Sequence, residues 1–243
     1  MSNKLHFGDF LLWCVLALPL LACADSSSDM AAGGAGVSSV SAEASSDSGS
    51  PAAAGSFEEG VHYIELFEPV PSVSAPADKI EVVEMFWYGC PHCFHLEPAL
   101  TKWEKNIASD VQVTTVPATL NPSWALHAKV FYAAEAMGVS GKVHEALFQA
   151  IHEQGRRLYS EGAILRFIAS LGIDEARFRS AMNSLAVTTK VNRAKQLGQL
   201  YGATGVPALI VGGQYRVLSN AVKSHEEIFA IVDYLIGKVR SAR

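Results

Sequence analysis

The sequence predicts an α/β fold in which a βαβ unit is followed by a block of helices and then by a ββα unit. Three observations predict it. A β-branched and aromatic run at Ile80–Trp87 leads through a helical pattern to a second strand-like run at Val111–Val116. Apolar residues then recur at helical spacing over residues 121–186, where no strand pattern interrupts them. Strand-like sequence returns at Ala208–Val211 and is followed by a last helical pattern.

The first 24 residues have the pattern of an export signal. Lys4 precedes an apolar run at Phe10–Leu21, which is too short to span a bilayer comfortably. Two cleavage sites overlap. Cleavage after Ala24 would give an ordinary soluble exported protein. Leu20-Leu21-Ala22-Cys23 resembles a bacterial lipobox, in which the signal ends at residue 22 and a lipid is attached to the Cys23 sulfur.

Residues 25–56 consist mainly of serine, alanine, glycine and acidic residues, with almost no large apolar side chain. Such a segment cannot bury enough apolar surface to offset the entropy lost on ordering. We therefore expect a disordered linker between the export signal and the folded domain. After a lipid anchor, the linker would serve as a tether.

Residues 57–119 are predicted to form the first part of the fold. The predicted helix begins at Pro91, because a proline in the first turn loses no hydrogen bond, and it continues through Ile107. Since this helix joins two strands, those strands are expected to be parallel. A proline-rich loop is expected at Pro69–Asp78. The predicted strands are Tyr63–Phe67, Ile80–Trp87 and Val111–Val116.

Residues 120–187 are predicted to form a helical insert. Its segments place apolar residues on one helical face, as Val143, Leu147 and Ile151 illustrate. This pattern is typical of short helices packed around a shared core. The four predicted helices are Trp124–Met137, Lys142–Gln154, Glu161–Leu171 and Asp174–Ser184.

Residues 188–243 are predicted to complete the fold, after a helix at Val187–Tyr201 that leads out of the insert. A hairpin is expected next, with Gly212-Gly213 as a two-residue turn, because glycine readily adopts positive φ. Ser224 and Glu227 have the spacing of a capping box at the start of a final amphipathic helix. The predicted hairpin strands are Ala208–Val211 and Gln214–Val217.

The net charge and the positions of the cysteines limit the classes of function that the chain can have. The net charge is −5 and there is no basic run, which argues against nucleic-acid binding. Of four cysteines, Cys14 and Cys23 lie in the export signal, so the folded part contains only Cys90 and Cys93. A domain of this size does not need a disulfide staple, and two cysteines so close together cannot link distant parts of a fold. The pair therefore predicts redox chemistry.

Cys90 is the candidate nucleophile. It follows Gly89 at the predicted start of a helix, where unpaired N–H groups and the positive end of the helix dipole favour an anion. The N–H groups of His92 and Cys93 can donate to its sulfur, and His92 adds a positive charge or a donor. Each effect favours the thiolate, hence the dithiol form, and makes the disulfide a stronger oxidant.

A metal site is the first rival interpretation, because His92 and His95 lie close to the cysteines. Structural zinc needs four ligands, and the sequence has no second cysteine pair to supply them. Haem attachment needs a histidine directly after the second cysteine, where Phe94 stands. We expect neither a metal nor an organic cofactor. The remaining histidines are interpreted as surface or packing residues: His62, His127, His144, His152 and His225.

Two stretches carry a family resemblance. Phe86-Trp87-Tyr88-Gly89-Cys90-Pro91-His92-Cys93, together with Thr204-Gly205-Val206-Pro207-Ala208, resembles the thioredoxin-fold disulfide oxidases, most closely the bacterial DsbA family. The resemblance extends over residues 57–238. It implies a thioredoxin fold with a central mixed sheet and an inserted helical domain.

The resemblance also implies roles for individual residues. Cys90 is similar to the family's exposed attacking cysteine and Cys93 to its buried resolving partner, with Pro91 and His92 between them as redox-tuning residues. Val206 and Pro207 resemble the cis-proline loop that faces the disulfide and pairs with substrate backbone.

Two acidic residues match positions of a proton relay in the family. Glu84 corresponds to the acid beneath the active site and Glu97 to an acid in the helix. Glu84 in an apolar strand is equally consistent with a merely paired, half-buried carboxylate. A lysine that the family often has in the following strand is replaced here, where Thr114 and Thr115 stand.

The implied function is a thiol–disulfide oxidoreductase that donates a disulfide to reduced exported polypeptides in the periplasm. The implied partner is a quinone-linked membrane reoxidase of the DsbB type, and the protein is expected to act as a monomer. Two alternatives remain open. One is a disulfide reductase or isomerase of the same fold. The other is a lipid-tethered, non-enzymatic peptide-binding protein.

Overall fold

The computed structural model describes residues 57–219 and 222–243. The predicted export signal, the predicted linker and Cys23 lie outside the described residues. In the part of the chain that is described, no helix combines the length and the apolar character needed to cross a membrane.

A five-stranded mixed sheet forms the centre of the fold, with strand order β1-β5-β4-β2-β3. β2 and β3 are parallel, and the other neighbouring pairs are antiparallel. The predicted βαβ unit and the return of the chain as a hairpin are therefore confirmed. The strands are β1 Tyr63–Glu65, β2 Ile80–Phe86, β3 Val111–Pro117, β4 Ala208–Val211 and β5 Tyr215–Val217.

Seven helices accompany the sheet in the described residues. The four helices predicted between β3 and the following long helix are confirmed, with ends shifted by one or two residues. The helices are α1 Pro91–Glu104, α2 Pro122–Ala136, α3 Ser140–His152, α4 Glu161–Ser170, α5 Glu175–Met182, α6 Leu185–Leu200 and α7 His225–Ser241.

Helix α1 ends at Glu104, three residues before the predicted end. The Asn106 side-chain amide donates to the Lys102 carbonyl at 2.8 Å, and its backbone N–H donates to Trp103 O at 2.9 Å. These bonds satisfy carbonyl groups that have no partner within a helix end, so the helix closes there.

The capping box predicted for the last helix is present with one difference. Ser224 Oγ accepts from the N–H of Glu227 at 3.2 Å, as expected. The Glu227 carboxylate accepts from the N–H of Lys223 at 2.7 Å, one residue before the cap. Both orphan donors at the start of α7 are nevertheless satisfied.

The hairpin loop is longer than predicted. Gly212 and Gly213 form the centre of the turn with φ of 60° and 65°. The paired residues are Val211 and Tyr215, so the loop has three residues rather than two. Gln214 is drawn out of the β4–β5 ladder because its carbonyl accepts from Leu66 N–H at 2.7 Å.

Strand β1 is shorter than predicted and ends at Glu65. The chain bends at Phe67, whose side chain is fully exposed instead of lying in the sheet. The proline-rich segment that follows is held against β2 by Glu81.

The alternation of β2 determines which residues lie beneath α1. All seven residues of β2 are buried, and it lies between β3 and β4. Ile80 and Val82 pack with residues of α1 and α7, whereas Val83 and Met85 pack with residues of α6. Successive side chains of a strand point to opposite faces. Glu84 therefore faces the same side as Ile80 and Val82, toward α1.

Glu81 anchors the loop between β1 and β2. Its side chain is 5% exposed, and its carboxylate accepts hydrogen bonds of 2.6 to 3.3 Å. The donors are the hydroxyls of Ser72, Ser74 and Thr114 and the backbone N–H groups of Val73, Ser74 and Ala75. Burial alone would raise the pKa of Glu81, but the bond from Thr114 and those from the loop outweigh it and lower the pKa.

We expect Glu81→Gln to lower the free energy of unfolding by about 1–3 kcal/mol, because an amide leaves some of these buried donors unpaired. A lowered folded-state pKa contributes stability above the unfolded pKa of about 4.3, and this contribution is lost as the pH falls through the folded value. The difference between wild type and variant should therefore shrink in acid. Urea unfolding from pH 3 to 7 measures it, with exposed Glu65→Gln as the control. An equal loss of stability at every pH would contradict this role.

Candidate redox site

The two cysteines lie where β2 meets α1. Cys90 is the N-cap of α1, with φ −91° and ψ 116°, and its carbonyl accepts from the N–H of Phe94 at 3.1 Å. Pro91 is the first helical residue, and Cys93 lies in the first turn. Both cysteines are free thiols in this structure, so the geometry is that of the dithiol form.

Gly89 allows the chain to turn sharply before Cys90. A Cβ atom at this position would lie 2.4 Å from the Trp87 ring, which no real contact tolerates. The indole therefore covers the backbone directly before the cysteine. The glycine hinge seen in the sequence has a steric cause.

Cys90 is more shielded than the resemblance to an exposed attacking cysteine implies. Its side chain is 8% exposed, against 0% for Cys93. The shielding comes from the segment before β4, where Cys90 Sγ donates to the carbonyl of Val206 at 3.3 Å. The order of accessibility agrees with the expectation, but the sulfur lies under a neighbouring loop.

That loop contains a cis peptide bond between Val206 and Pro207. Because β4 pairs antiparallel with β2, the start of β4 lies beside the end of β2. The sheet thus brings Val206 to a residue that lies 116 positions earlier in the chain. A cavity of about 590 Å³ borders the same segment, and His92, Val206, Pro207 and Ile228 are among the residues that line it.

The two thiols have strongly different acidities. A hydrogen bond from the Cys93 thiol, the backbone N–H groups of Cys93 and His92, and the charge of His92 lower the pKa of Cys90 to about 6, against the opposing effect of burial. The same hydrogen bond to Cys90 and burial raise the pKa of Cys93 far above its ordinary value. Near neutral pH, Cys90 therefore carries the negative charge and Cys93 keeps its proton.

Glu84 is a fully buried acid in the sheet beneath the cysteines. It is 0% exposed, and neither carboxyl oxygen has a hydrogen-bond partner among the described residues. Burial first, and then the charges of Glu97, Glu104 and Cys90, raise the pKa of Glu84 well above its ordinary value. Glu84 is therefore not the paired, half-buried carboxylate that the sequence left open as an alternative.

Glu97 lies one helical turn after Cys93 on α1, which places both on the same side of the helix. Its carboxylate oxygen is buried and lies 3.4 Å from His144 Nε2, without the geometry of a hydrogen bond. The other ring nitrogen, His144 Nδ1, lies 3.0 Å from the Tyr88 hydroxyl.

Histidines of the helical segment contact the active-site loop, which sequence reasoning missed. His152 Nε2 donates to the carbonyl of Tyr88 at 2.7 Å, and its ring stacks on Phe94 at 5.0 Å. His144, which lies on the same helix as His152, contacts the hydroxyl of the same tyrosine. His127 is buried and donates to Leu158 O at 2.7 Å. No local sequence signal marks these histidines, because their partners are distant in the chain.

The metal alternative finds no support in the described parts of the chain. Residues 57–219 and 222–243 contain no group of three or more histidine, cysteine, aspartate or glutamate side chains arranged to hold a metal ion.

The chain is similar to known proteins over most of its length. The family model of the DSBA-like thioredoxin domain matches residues 108–229. The thiol:disulfide interchange protein DsbA of Pseudomonas aeruginosa is 41% identical over 194 residues, which cover 80% of this chain and 91% of that protein. The protein of the same name from Azotobacter vinelandii is 41% identical over 184 residues, or 76% of this chain and 85% of the relative.

Solved structures agree with the sequence comparisons. The crystal structure of Pseudomonas aeruginosa DsbA superposes with a TM-score of 0.71 at 39% sequence identity, covering 76% of this chain and 96% of that chain. The thioredoxin fold and the inserted helices predicted from the sequence are therefore confirmed.

Proposed function

The chain belongs to the DsbA family of thiol:disulfide interchange proteins, and we propose that Cys90 and Cys93 carry the disulfide that it donates to folding exported proteins. Its activity is that of a thiol–disulfide oxidoreductase of the DsbA type. The reductase, isomerase and non-enzymatic alternatives are not favoured by any of these relatives. The observation that carries the proposal is the contact of Cys90, at the start of a helix, with the cis-proline loop at Val206.

The proposed cycle begins with the oxidised pair. A substrate thiolate attacks Sγ of Cys90, the bond between the two enzyme sulfurs breaks, and its electron pair remains on Cys93. A second substrate thiolate then attacks the substrate sulfur of the mixed disulfide and releases Cys90. This release is easy because a thiol with a pKa of about 6 is a good leaving group. The substrate is oxidised and the enzyme is reduced.

Val206 and Pro207 are proposed to position the substrate. The supporting observations are that Val206 contacts Cys90 and that both Val206 and Pro207 line the adjoining cavity. An extended peptide that pairs with this segment would lie next to Cys90, within reach of its sulfur. Glu84 and Glu97 are proposed to move protons to and from Cys93, which the burial of Glu84 next to α1 supports.

The acidity of Cys90 tests the proposal. Iodoacetamide alkylation of the reduced protein, followed by mass spectrometry from pH 4 to 9, is expected to give a midpoint at about 6 for Cys90. Since only the thiolate reacts, the midpoint reports its ionisation. A midpoint near the ordinary thiol value of about 8.5 would remove the electrostatic basis of an oxidising pair.

We expect His92→Ala to make the pair less oxidising. His92 favours the thiolate of Cys90 in two ways, through its backbone N–H and through the charge of its exposed imidazole. The variant loses only the charge. An exposed charge interaction of about 0.5–1 kcal/mol would change the equilibrium constant with glutathione by roughly two- to fivefold. Exposed His95→Ala is the control. An unchanged equilibrium constant in the His92 variant would assign the tuning to the backbone alone.

The partners of the reaction follow from the family. We propose that the substrates are reduced polypeptides exported to the periplasm, and that a quinone-linked membrane protein of the DsbB type reoxidises the pair. The support is the similarity to DsbA proteins, together with the export signal predicted for residues 1–24. The protein is proposed to act as a monomer, which sedimentation of the purified chain tests.

Lipid attachment at Cys23 is proposed from the sequence Leu20-Leu21-Ala22-Cys23. The predicted linker of residues 25–56 would then tether the domain to a membrane facing the periplasm. Mass spectrometry of the mature N-terminus decides between the two processing sites. A diacylglycerol-modified Cys23 supports the anchor, and an unmodified N-terminus at Asp25 contradicts it.

A further inference from the structure

Cys93 must gain a proton that it cannot take directly from solvent. When substrate attacks Cys90, the electron pair of the broken bond stays on Cys93. This sulfur is 0% exposed, and the pKa of its thiol is strongly raised. A thiol with a high pKa is a slow leaving group unless a proton reaches it. The reaction therefore needs a buried acid and a path that resupplies it.

Glu84 is placed to be that acid. It faces α1 from the middle of β2, and its charge acts on Cys93. Because burial raises the pKa of Glu84 well above its ordinary value, its protonated form is favoured. Once the proton is given to Cys93, the remaining carboxylate lies in a site that offers it no hydrogen bond. Such a charge is unfavourable, so Glu84 must be reprotonated before the next turnover.

The residues of α1 lead from Glu84 toward solvent. Cys93 and Glu97 are four positions apart, and Glu104 follows two turns later on the same side of the helix. The charges of both glutamates act on Glu84. Glu97 is half-buried and Glu104 is exposed, so the acidic groups extend from the sheet to the surface.

His144 lies at the outer end of this group. Its Nε2 lies 3.4 Å from Glu97 Oε1, and both side chains are 25% exposed. Its Nδ1 lies 3.0 Å from the hydroxyl of Tyr88. The protonated ring would donate from Nε2 toward Glu97 and from Nδ1 to the Tyr88 hydroxyl oxygen. Once Nε2 has given its proton to Glu97, the neutral ring keeps its proton on Nδ1, and Nε2 can take the next proton from solvent. The ring therefore touches both solvent and the carboxylate.

Aromatic packing fixes this orientation. The rings of Phe86, Tyr88 and Phe148 lie 5.2 to 5.3 Å from the His144 ring, centre to centre. Three different elements supply these contacts, namely β2, the active-site loop and α3 itself. The imidazole is thus held in place although part of it is open to water.

Strand β3 does not supply a cation at this position. Thr115 is the β3 partner of Glu84, and the hydroxyl of neighbouring Thr114 donates to Glu81 instead. The β3 residues that lie beside Glu84 are therefore uncharged. His144 approaches the acidic group from the helical segment on the other side of α1.

We propose that His144 is a positioning residue for disulfide transfer, which takes a proton from solvent and passes it to Glu97, from which Glu84 and then Cys93 are protonated. The inference rests on the roles proposed above for Cys90 and Cys93. In one pass, the substrate thiolate bonds to Cys90, the bond from Cys90 to Cys93 breaks, and one solvent proton is consumed to form the Cys93 thiol. Reoxidation of the pair releases that proton by the reverse path.

Few other titratable groups face the His144 ring. Glu97 approaches from α1 and Tyr88 from the active-site loop. From α2 the neighbour is the uncharged ring of Phe131, and on α3 itself Glu145 is exposed beside the ring. A pH dependence that disappears with the imidazole is therefore assigned to His144 and its contact with Glu97.

The test compares wild type with His144→Gln, which keeps a donor but cannot titrate. The rate constant for oxidation of a two-cysteine peptide is measured by stopped-flow fluorescence from pH 5.5 to 8.5. Because the peptide thiol titrates as well, the quantity compared is the ratio of wild-type to variant rate constants at each pH. We expect a ratio of about ten near pH 6, less than the 10²–10⁴ of a directly acting acid, since His144 acts through Glu97.

The ratio should fall toward one as the pH rises to 8.5, because solvent then offers fewer protons to the relay. His95→Gln, an exposed histidine on α1, is the matched control and should give a ratio of one throughout. Glu97→Gln keeps the ring and its packing, and should reproduce the pH-dependent ratio even if the histidine variant proves unstable. A ratio that does not change with pH, whether near one or not, overturns the proposal.

The same experiment separates the two levels of inference. If the wild-type protein fails to oxidise the peptide, the proposed roles of Cys90 and Cys93 fail. If the wild type is active and the ratio for the variant is flat, only the role of His144 is lost.

Discussion

Cys90→Ser is expected to abolish disulfide transfer. A serine hydroxyl cannot form the disulfide that substrates reduce, and no other cysteine of the described residues can replace Cys90 at the start of α1. The rate of oxidative refolding of a reduced protein such as ribonuclease should fall by more than about a hundredfold, to the uncatalysed rate.

The fold should survive this change, because a serine is also a suitable N-cap. Near-ultraviolet circular dichroism of the variant is the control for folding. Refolding that continues at the wild-type rate would contradict a redox role and would favour the peptide-binding alternative, in which activity is independent of the cysteines.

Cys93→Ser is expected to trap substrates on Cys90 when the Cys90 thiolate attacks a substrate disulfide or a glutathione-capped substrate cysteine, whose own disulfide bond supplies the oxidising equivalent. Cys93 is the buried sulfur that attacks a mixed disulfide from within the same helical turn. Holding two reacting groups in one site gives the intramolecular reaction a large advantage over attack by free thiols. Without Cys93, the lifetime of mixed disulfides should rise by more than about a hundredfold, as non-reducing electrophoresis and mass spectrometry would reveal.

The double variant Cys90→Ser/Cys93→Ser is the control for this experiment and should form no adducts. Adducts that appear on the single variant must disappear on treatment with dithiothreitol. A clean absence of adducts in the Cys93 variant would contradict the division of roles between the two sulfurs.

The parts of the site that are local in sequence could be predicted. Cys90 at the helix start and Pro91 in the first turn follow from strand, glycine and proline signals within a few residues. The burial of Cys93, which is 0% exposed, was expected only from the family resemblance. The fold class could also be predicted, because the β-branched and aromatic run of β2 differs from the helical spacing of apolar residues over residues 121–186.

The parts that depend on distant contacts could not be predicted. His144 was interpreted as a surface or packing residue, since nothing near it in the sequence indicates that it contacts Tyr88 or Glu97. Glu81 was not singled out, although it holds a whole loop, because its donors are mainly backbone groups. The shielding of Cys90 likewise depends on Val206, which only the folded sheet brings near.

Element ends deviated for similar reasons. The sequence of α1 remains compatible with a helix up to Ile107, and the side chain of Asn106 decides where it stops. The hairpin loop gained a residue because β1 competes for the carbonyl of Gln214. In both cases a specific polar group outweighs the general propensity of the segment.

Glu84 implies a compromise between durability and turnover. A carboxyl group that lies in the middle of a sheet, with no hydrogen-bond partner among the described residues, lowers the conformational stability of the molecule. An apolar residue of similar size, such as methionine, should therefore yield a more heat-resistant protein that oxidises its substrates more slowly. A substitution of Glu84 that raises the stability of the protein is therefore expected to lower its rate of disulfide transfer.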